Sequence, residues 1–149
     1  MSDYLQMILV FGSHFLYTNE FDPSLIHPAF SIGLLSVAVL NINNMRDRVN
    51  DKQFGKATIA VRLGARNVIF YHLFLLIVPV ILTATYGFIY NAVSIVVLSI
   101  IMLIPVMLHL KVVFQNKSEK LLDLELKKIA LLTFFYAILF SVFSIVLTV

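Results

Sequence analysis

Five stretches of the chain are apolar almost without interruption, at residues 4–17, 29–45, 68–89, 92–110 and 129–149. An α-helix advances about 1.5 Å per residue, so about 20 apolar residues cross a hydrocarbon core. The last three stretches reach or approach that length and predict transmembrane helices. The stretch 29–45 is at the short end of the range. It begins after Pro28, where a first-turn proline removes no helical hydrogen bond, and carries Asn41 and Asn43 near its far end. It too is expected to span. Residues 4–17 are too few for an ordinary span and predict a truncated helix, an interfacial segment or a helix extending toward Glu20. With no positive n-region ahead of them, they read as mature protein rather than as a secretory signal. The expected fold is therefore all-α, a polytopic membrane helical bundle forming one region over residues 1–149. Pro79 and Pro105 fall inside the third and fourth spans and are expected to kink them, as packing features.

Composition supports a lipid-facing core. The chain is 60% hydrophobic and 13% charged, with a mean hydropathy of +0.96, against about 45–50% and 25% in a soluble domain. The absence of cysteine excludes disulfides, thiolate metal sites and cysteine nucleophiles.

Charge then sets the topology. All 11 basic residues lie in two stretches, Arg46 to Arg66 and Lys111 to Lys128, separated by two spans. Both can face one side, and the positive-inside rule makes that side the cytoplasm. Glu20, Asp22, the Tyr90-Asn91 turn and the C-terminus are then outside, and residues 46–67 form a cytoplasmic motif loop. Orientation accounts for the formal charge of +3, and no basic run alternates with stacking aromatics, so no nucleic-acid partner is expected.

One polar patch carries candidate chemistry. If the second helix continues past the interface, Asn44, Asp47 and Asp51 occupy i, i+3 and i+7 and share a face. Two carboxylates one turn apart form a partial hard-oxygen site for Mg²⁺, which leaves room for water and phosphate oxygens. Asn44 adds a neutral amide. Arg46, Arg48, Lys52, Lys56 and Arg62 supply donors, and arginine forks onto phosphate oxygens. Gly55 lets the backbone turn tightly ahead of Lys56 and Thr58. The residues alone leave a second reading open, because basic cytoplasmic loops are ordinary and Asp47 and Asp51 can pair with their neighbours. Polar groups held at the hydrocarbon boundary weigh toward a working site.

The run Asn43-Asn44-Met45-Arg46-Asp47, followed by Asp51, Gly55-Lys56, Thr58 and Ala60-Val61-Arg62-Leu63-Gly64, resembles the second aspartate-rich motif of the UbiA superfamily of intramembrane prenyltransferases. The paired asparagines and the Lys-x-Thr-x-Ala-Val-Arg-x-Gly ending are most similar to the branch acting on 1,4-dihydroxy-2-naphthoate in menaquinone biosynthesis. The resemblance implies a bundle of nine helices in which two aspartate-rich motifs line one pocket for Mg²⁺ and a polyprenyl diphosphate. It implies transfer of the polyprenyl group to an aromatic ring, with loss of diphosphate and, in this branch, of the ring carboxylate. It further implies that Asp47 and Asp51 are catalytic metal ligands assisted by Asn44, and that Arg46, Lys52 and Arg62 contact the diphosphate. Only Asp3, Glu20 and Asp22 are acidic before Asn41, so no first motif is present in these residues. The resemblance runs to the C-terminal half of the family fold, and it makes the N-terminal half an expected partner in the bacterial cell membrane.

Rival readings are a non-catalytic membrane subunit or inactive fragment, binding anionic lipid or a partner through the loop, and a transporter fragment. The transporter reading is weakened because no acid lies mid-span. His14, His27, His72 and His109 show no paired ligand spacing and read as satisfied helix or interface residues. Glu119, Asp123 and Glu125, with Lys117, Lys120, Lys127 and Lys128, read as a solvated amphipathic face. Tyr71, Tyr86, Tyr90 and Tyr136 read as interface anchors rather than tunnel lining.

Overall fold

A computed structural model describes residues 16, 19–20, 22–115 and 119–146. The short segment expected at 4–17 lies almost wholly outside them, as do His14 and Lys117. The described residues form a single 3-10 turn, Pro23–Leu25, and four long helices. These are α1 (Ile26–Gln53), α2 (Ile59–Ile89), α3 (Val93–Gln115) and α4 (Glu119–Val146). No strand occurs among the described residues. Asp22 starts the first turn by accepting the Ser24 N–H at 2.8 Å, with Pro23 following where no helical donor is needed.

All four helices contain a segment long and apolar enough to cross a membrane. α1 packs against α2 and α4, α2 against α3, and α3 against α4, so the four close into a ring. α1 buries the small residues Ala29, Ser31, Gly33 and Ala38 on two sides, which let backbones approach closely without a hydrophobic driving force. Leu35, Leu75, Leu76, Ile95, Leu98 and Tyr136 fill the centre. Large side chains such as Phe74, Ile81, Ile104, Leu108 and Phe134 point outward. That inverted distribution is stable only in a hydrocarbon solvent.

The helices outrun their apolar stretches, and the expected loop over 46–67 contracts accordingly. α1 continues eight residues past Met45 to Gln53, and α2 begins at Ile59, capped by Thr58 Oγ1, which accepts the Val61 N–H at 3.4 Å. Gly55, with a φ of 71°, reverses the chain between them, as its position predicts. Nothing in residues 46–53 breaks a helix, so polarity alone does not end α1. The non-helical dihedrals inside α2 occur at Gly64 (φ 75°, ψ 175°) rather than at Pro79. The break therefore separates a short leading turn, Ile59 to Leu63, from the transmembrane stretch.

Candidate functional site

Continuation of α1 to Gln53 puts Asn44, Asp47 and Asp51 on one helix face, with Asp47 and Asp51 one turn apart. Arg46 folds back on Asp47. Its Nε donates to Oδ1 at 2.8 Å and its Nη2 to Oδ2 at 3.0 Å, a bidentate fork. Nη2 also donates to Asn43 Oδ1 at 2.8 Å, Asn43 Nδ2 donates to Asp47 Oδ2 at 3.4 Å, and Arg46 Nη1 reaches across to Asp123 of α4 at 2.9 Å. Asp123 is thus tied to Arg46 while its side chain stays about half exposed, in keeping with a solvated face.

Asp51 departs from the solvated loop position expected of it. It is buried, and Lys56 lies over it with its backbone N–H on the Asp51 carbonyl at 2.8 Å and its Nζ 3.5 Å from Oδ1. The Asn44 side chain is half-buried and makes no hydrogen bond within the described residues, which leaves it open to a ligand. Lys52 and Arg62 are exposed and form no ion pair among the described residues. The structure thus carries Asn44, Arg46, Asp47, Asp51 and Lys52 on α1, with Lys52 exposed, and Arg62 exposed on α2. Donor chemistry fits a hard divalent cation in kind, because all the candidate ligands are oxygens. Among the described residues no group of three or more histidines, aspartates or glutamates could hold a metal, so Asp47 and Asp51 amount to part of a shell. Mg²⁺ characteristically takes one or two protein carboxylates and completes its shell with water and phosphate oxygens.

Deeper in the bundle is a polar chain that sequence reasoning does not assemble. Asn41 Nδ2 lies 3.2 Å from His72 Nδ1, His72 Nε2 lies 2.9 Å from His109 Nε2, and His109 Nδ1 lies 2.6 Å from Glu125 Oε2. Lys128 Nζ closes the series on Glu125 Oε1 at 2.5 Å. An amide nitrogen can only donate, so with neutral rings His72 accepts at Nδ1 and donates from Nε2, and His109 accepts at Nε2 and donates from Nδ1. Every hydrogen bond then points toward the Glu125 carboxylate. Glu125 is 2% exposed and corrects the expectation of a solvated acidic face. Helical phase is the signal that finds it, since Glu125, Ile129, Tyr136 and Phe140 recur on one buried face. Tyr136 is likewise buried rather than an interface anchor, with its hydroxyl 2.9 Å from Thr83 Oγ1. His27 stands edge-on to Tyr86 near the other end of the bundle, and its buried Nδ1 has no hydrogen-bond partner among the described residues, so it departs from the satisfied histidine expected.

A family model described as the UbiA prenyltransferase family matches residues 5–139. Two curated relatives are 1,4-dihydroxy-2-naphthoate octaprenyltransferases. That of Escherichia coli (strain K12) is 46% identical over 78 residues, which are 52% of this chain and 25% of the relative. That of Haemophilus influenzae (strain ATCC 51907 / DSM 11121 / KW20 / Rd) is 51% identical over 65 residues, 44% of this chain and 21% of the relative. The matches therefore span about a quarter of the curated relatives' length. No solved structure matches.

Proposed function

This chain belongs to the UbiA prenyltransferase family, and from that premise we propose that it contributes the second aspartate-rich half-site of an integral membrane enzyme. In this reading, the enzyme transfers a polyprenyl group from its diphosphate to an aromatic acceptor, 1,4-dihydroxy-2-naphthoate, in menaquinone biosynthesis. The observation that carries it is the placement of Asp47 and Asp51 on one face of α1 with Arg46 folded against Asp47. The names of the two relatives support the choice of acceptor.

Asp47 and Asp51, assisted by Asn44, would hold Mg²⁺, which when bound neutralises charge on the diphosphate as it leaves. Arg46 has the fork geometry to bind phosphate oxygens, and releasing Asp47 frees both that fork and two carboxylate oxygens together. Lys52 and Arg62, whose exposure supports the role, would draw in the diphosphate from the aqueous side. Such preorganised charge is commonly the largest contribution to catalysis of this type. The carbon–oxygen bond to diphosphate breaks, the ring carbon takes the allylic group, and the carboxylate leaves as carbon dioxide with its bonding electrons returned to the ring. The two basic stretches support a motif that faces the cytoplasm from the bacterial cell membrane. A first aspartate-rich motif, from the N-terminal half of the family fold, completes the pocket.

The test is Mg²⁺-dependent transfer to 1,4-dihydroxy-2-naphthoate in membranes holding this chain together with the N-terminal half of a relative. Transfer that requires both pieces and Asp47 is expected. Transfer indifferent to Asp47, or none with both pieces inserted, removes the reading. A non-catalytic subunit that binds anionic lipid through the same basic edge predicts the second of these outcomes.

A further inference from the structure

The polar chain from Asn41 to Glu125 makes no hydrogen bond to Asp47 or Asp51, and it takes one side chain from each helix of the bundle. Asn41, His72, His109 and Glu125 are all at most 3% exposed. Ionisable groups inside a membrane bundle are costly to retain, and apolar residues of similar volume commonly pack as well or better. What a hydrogen-bond chain running one way across four helices adds is register, although Asn41 Nδ2 also bonds Met45 Sδ at 3.5 Å within α1 and its buried Oδ1 has no partner among the described residues. Asn41 lies one turn before Asn44 on α1. A second tie joins the same two outer helices, from Arg46 to Asp123. The inner end of α1 is thus held by two acids of α4, Asp123 directly and Glu125 through two histidines. Lys128 neutralises Glu125 from the aqueous side, with its amine largely exposed.

We propose that Glu125 is a positioning residue which, through His109 and His72, holds Asn41 and fixes the register in which α1 presents Asn44, Asp47 and Asp51. The consequence for diphosphate binding rests on the function proposed above, while the consequence for helix position does not. The chain has no cysteine, so Asn50→Cys and Leu121→Cys place spin labels on exposed sites of α1 and α4 alone. In nanodiscs, Glu125→Leu should shift or broaden the label distance, and Tyr136→Phe, an equally buried change on α4, should not. In a double-mutant cycle read as Mg²⁺-dependent affinity for inorganic diphosphate, Asn41→Ala and Glu125→Leu should each weaken binding. Combined, they should fall short of the product of the single losses by about threefold or more, the mark of one coupled unit. Should Glu125→Leu fail to insert, Glu125→Gln keeps the volume and an acceptor oxygen and enters the same cycle. Multiplying losses, an unmoved distance, or an equal shift from Tyr136→Phe would each overturn the proposal. If the unmodified chain binds no diphosphate in response to Mg²⁺, the cycle is read with the N-terminal half of a relative present, where no binding removes the function reading and the label distances still decide the positioning role.

Discussion

Arg46 occupies both carboxylate oxygens of Asp47, at 2.8 and 3.0 Å, so the candidate metal ligand and the candidate diphosphate contact are each other's partners in this structure. In the proposed function, Asp47 would give up the guanidinium to hold a divalent cation, and Arg46 would turn its fork to a phosphate. Arg46 is also bonded through Nη1 to Asp123 of α4 at 2.9 Å, a contact that does not involve Asp47.

The exchange separates function from stability at Asp47. Its side chain and that of Arg46 are 36% and 28% exposed, and partly solvated pairs contribute about 0–1 kcal/mol. Asp47→Ala should therefore leave insertion and unfolding temperature nearly unchanged. Loss of a comparable electrostatic stabiliser costs about 10²–10³ in rate. Thermal unfolding and Mg²⁺-dependent transfer, measured on the same variant with the first motif supplied, check both halves. Matched loss of folding and activity would mark the pair as structural only.

Topology gives a second test. Single cysteines at Asn50 and Gln115 should resist an impermeant thiol reagent applied outside intact cells, and one at Asn91 should react. Asn91 sits at the tip of the turn between α2 and α3, exposed and with a φ of 53°. Outside labelling at Asn50 and Gln115 would invert the assignment of the motif to the cytoplasm.

Much of this arrangement is legible in the chain. Apolar length finds four helices, and the spacing of Asn44, Asp47 and Asp51 puts them on one face as soon as α1 is allowed to continue. Apolar length does not say where the helices stop, because a helix leaving the membrane can run on in water until its backbone is turned, here by Gly55. Hydropathy also assigns Asp123 and Glu125 to solvent, although one bonds Arg46 and the other lies in the core. The members of the polar chain sit 31, 37 and 16 positions apart. No local spacing joins them, and only the phase of four helices read together brings them to one place.

The α2–α3 hairpin offers a test of packing. A Cβ added at Gly87 would lie 2.6 Å from Val96 Cγ2 and 2.8 Å from the Val96 backbone nitrogen, while Gly87 itself accepts the Ala92 N–H at 2.7 Å. Gly87→Ala should destabilise by about 1–3 kcal/mol, as overpacking does. Val96→Ala in the same chain should recover part of this, since it removes the methyl contact and leaves the backbone one. Thermal unfolding in detergent measures both, and an unchanged Gly87→Ala protein would show that the two helix ends separate freely.

Purified alone, these 149 residues should transfer no polyprenyl group. Asp47 and Asp51 supply two carboxylates, one of them forked by Arg46 and the other beneath Lys56, and no third acid or histidine among the described residues joins them in a metal-binding group. Such a half-site can take part of a Mg²⁺ shell, but it cannot by itself enclose a metal-bound diphosphate and exclude water from an allylic cation. Weak Mg²⁺-dependent binding of diphosphate without turnover is the expected behaviour. Co-insertion of a separate segment bearing the first aspartate-rich motif should restore transfer. Neutralising either motif should remove it again, since both would act on one leaving group. Scintillation counting of product from labelled polyprenyl diphosphate, for the chain alone, the segment alone and the two together, decides the matter. Clear turnover by the chain alone would mean that one motif suffices and that the half-site account is wrong.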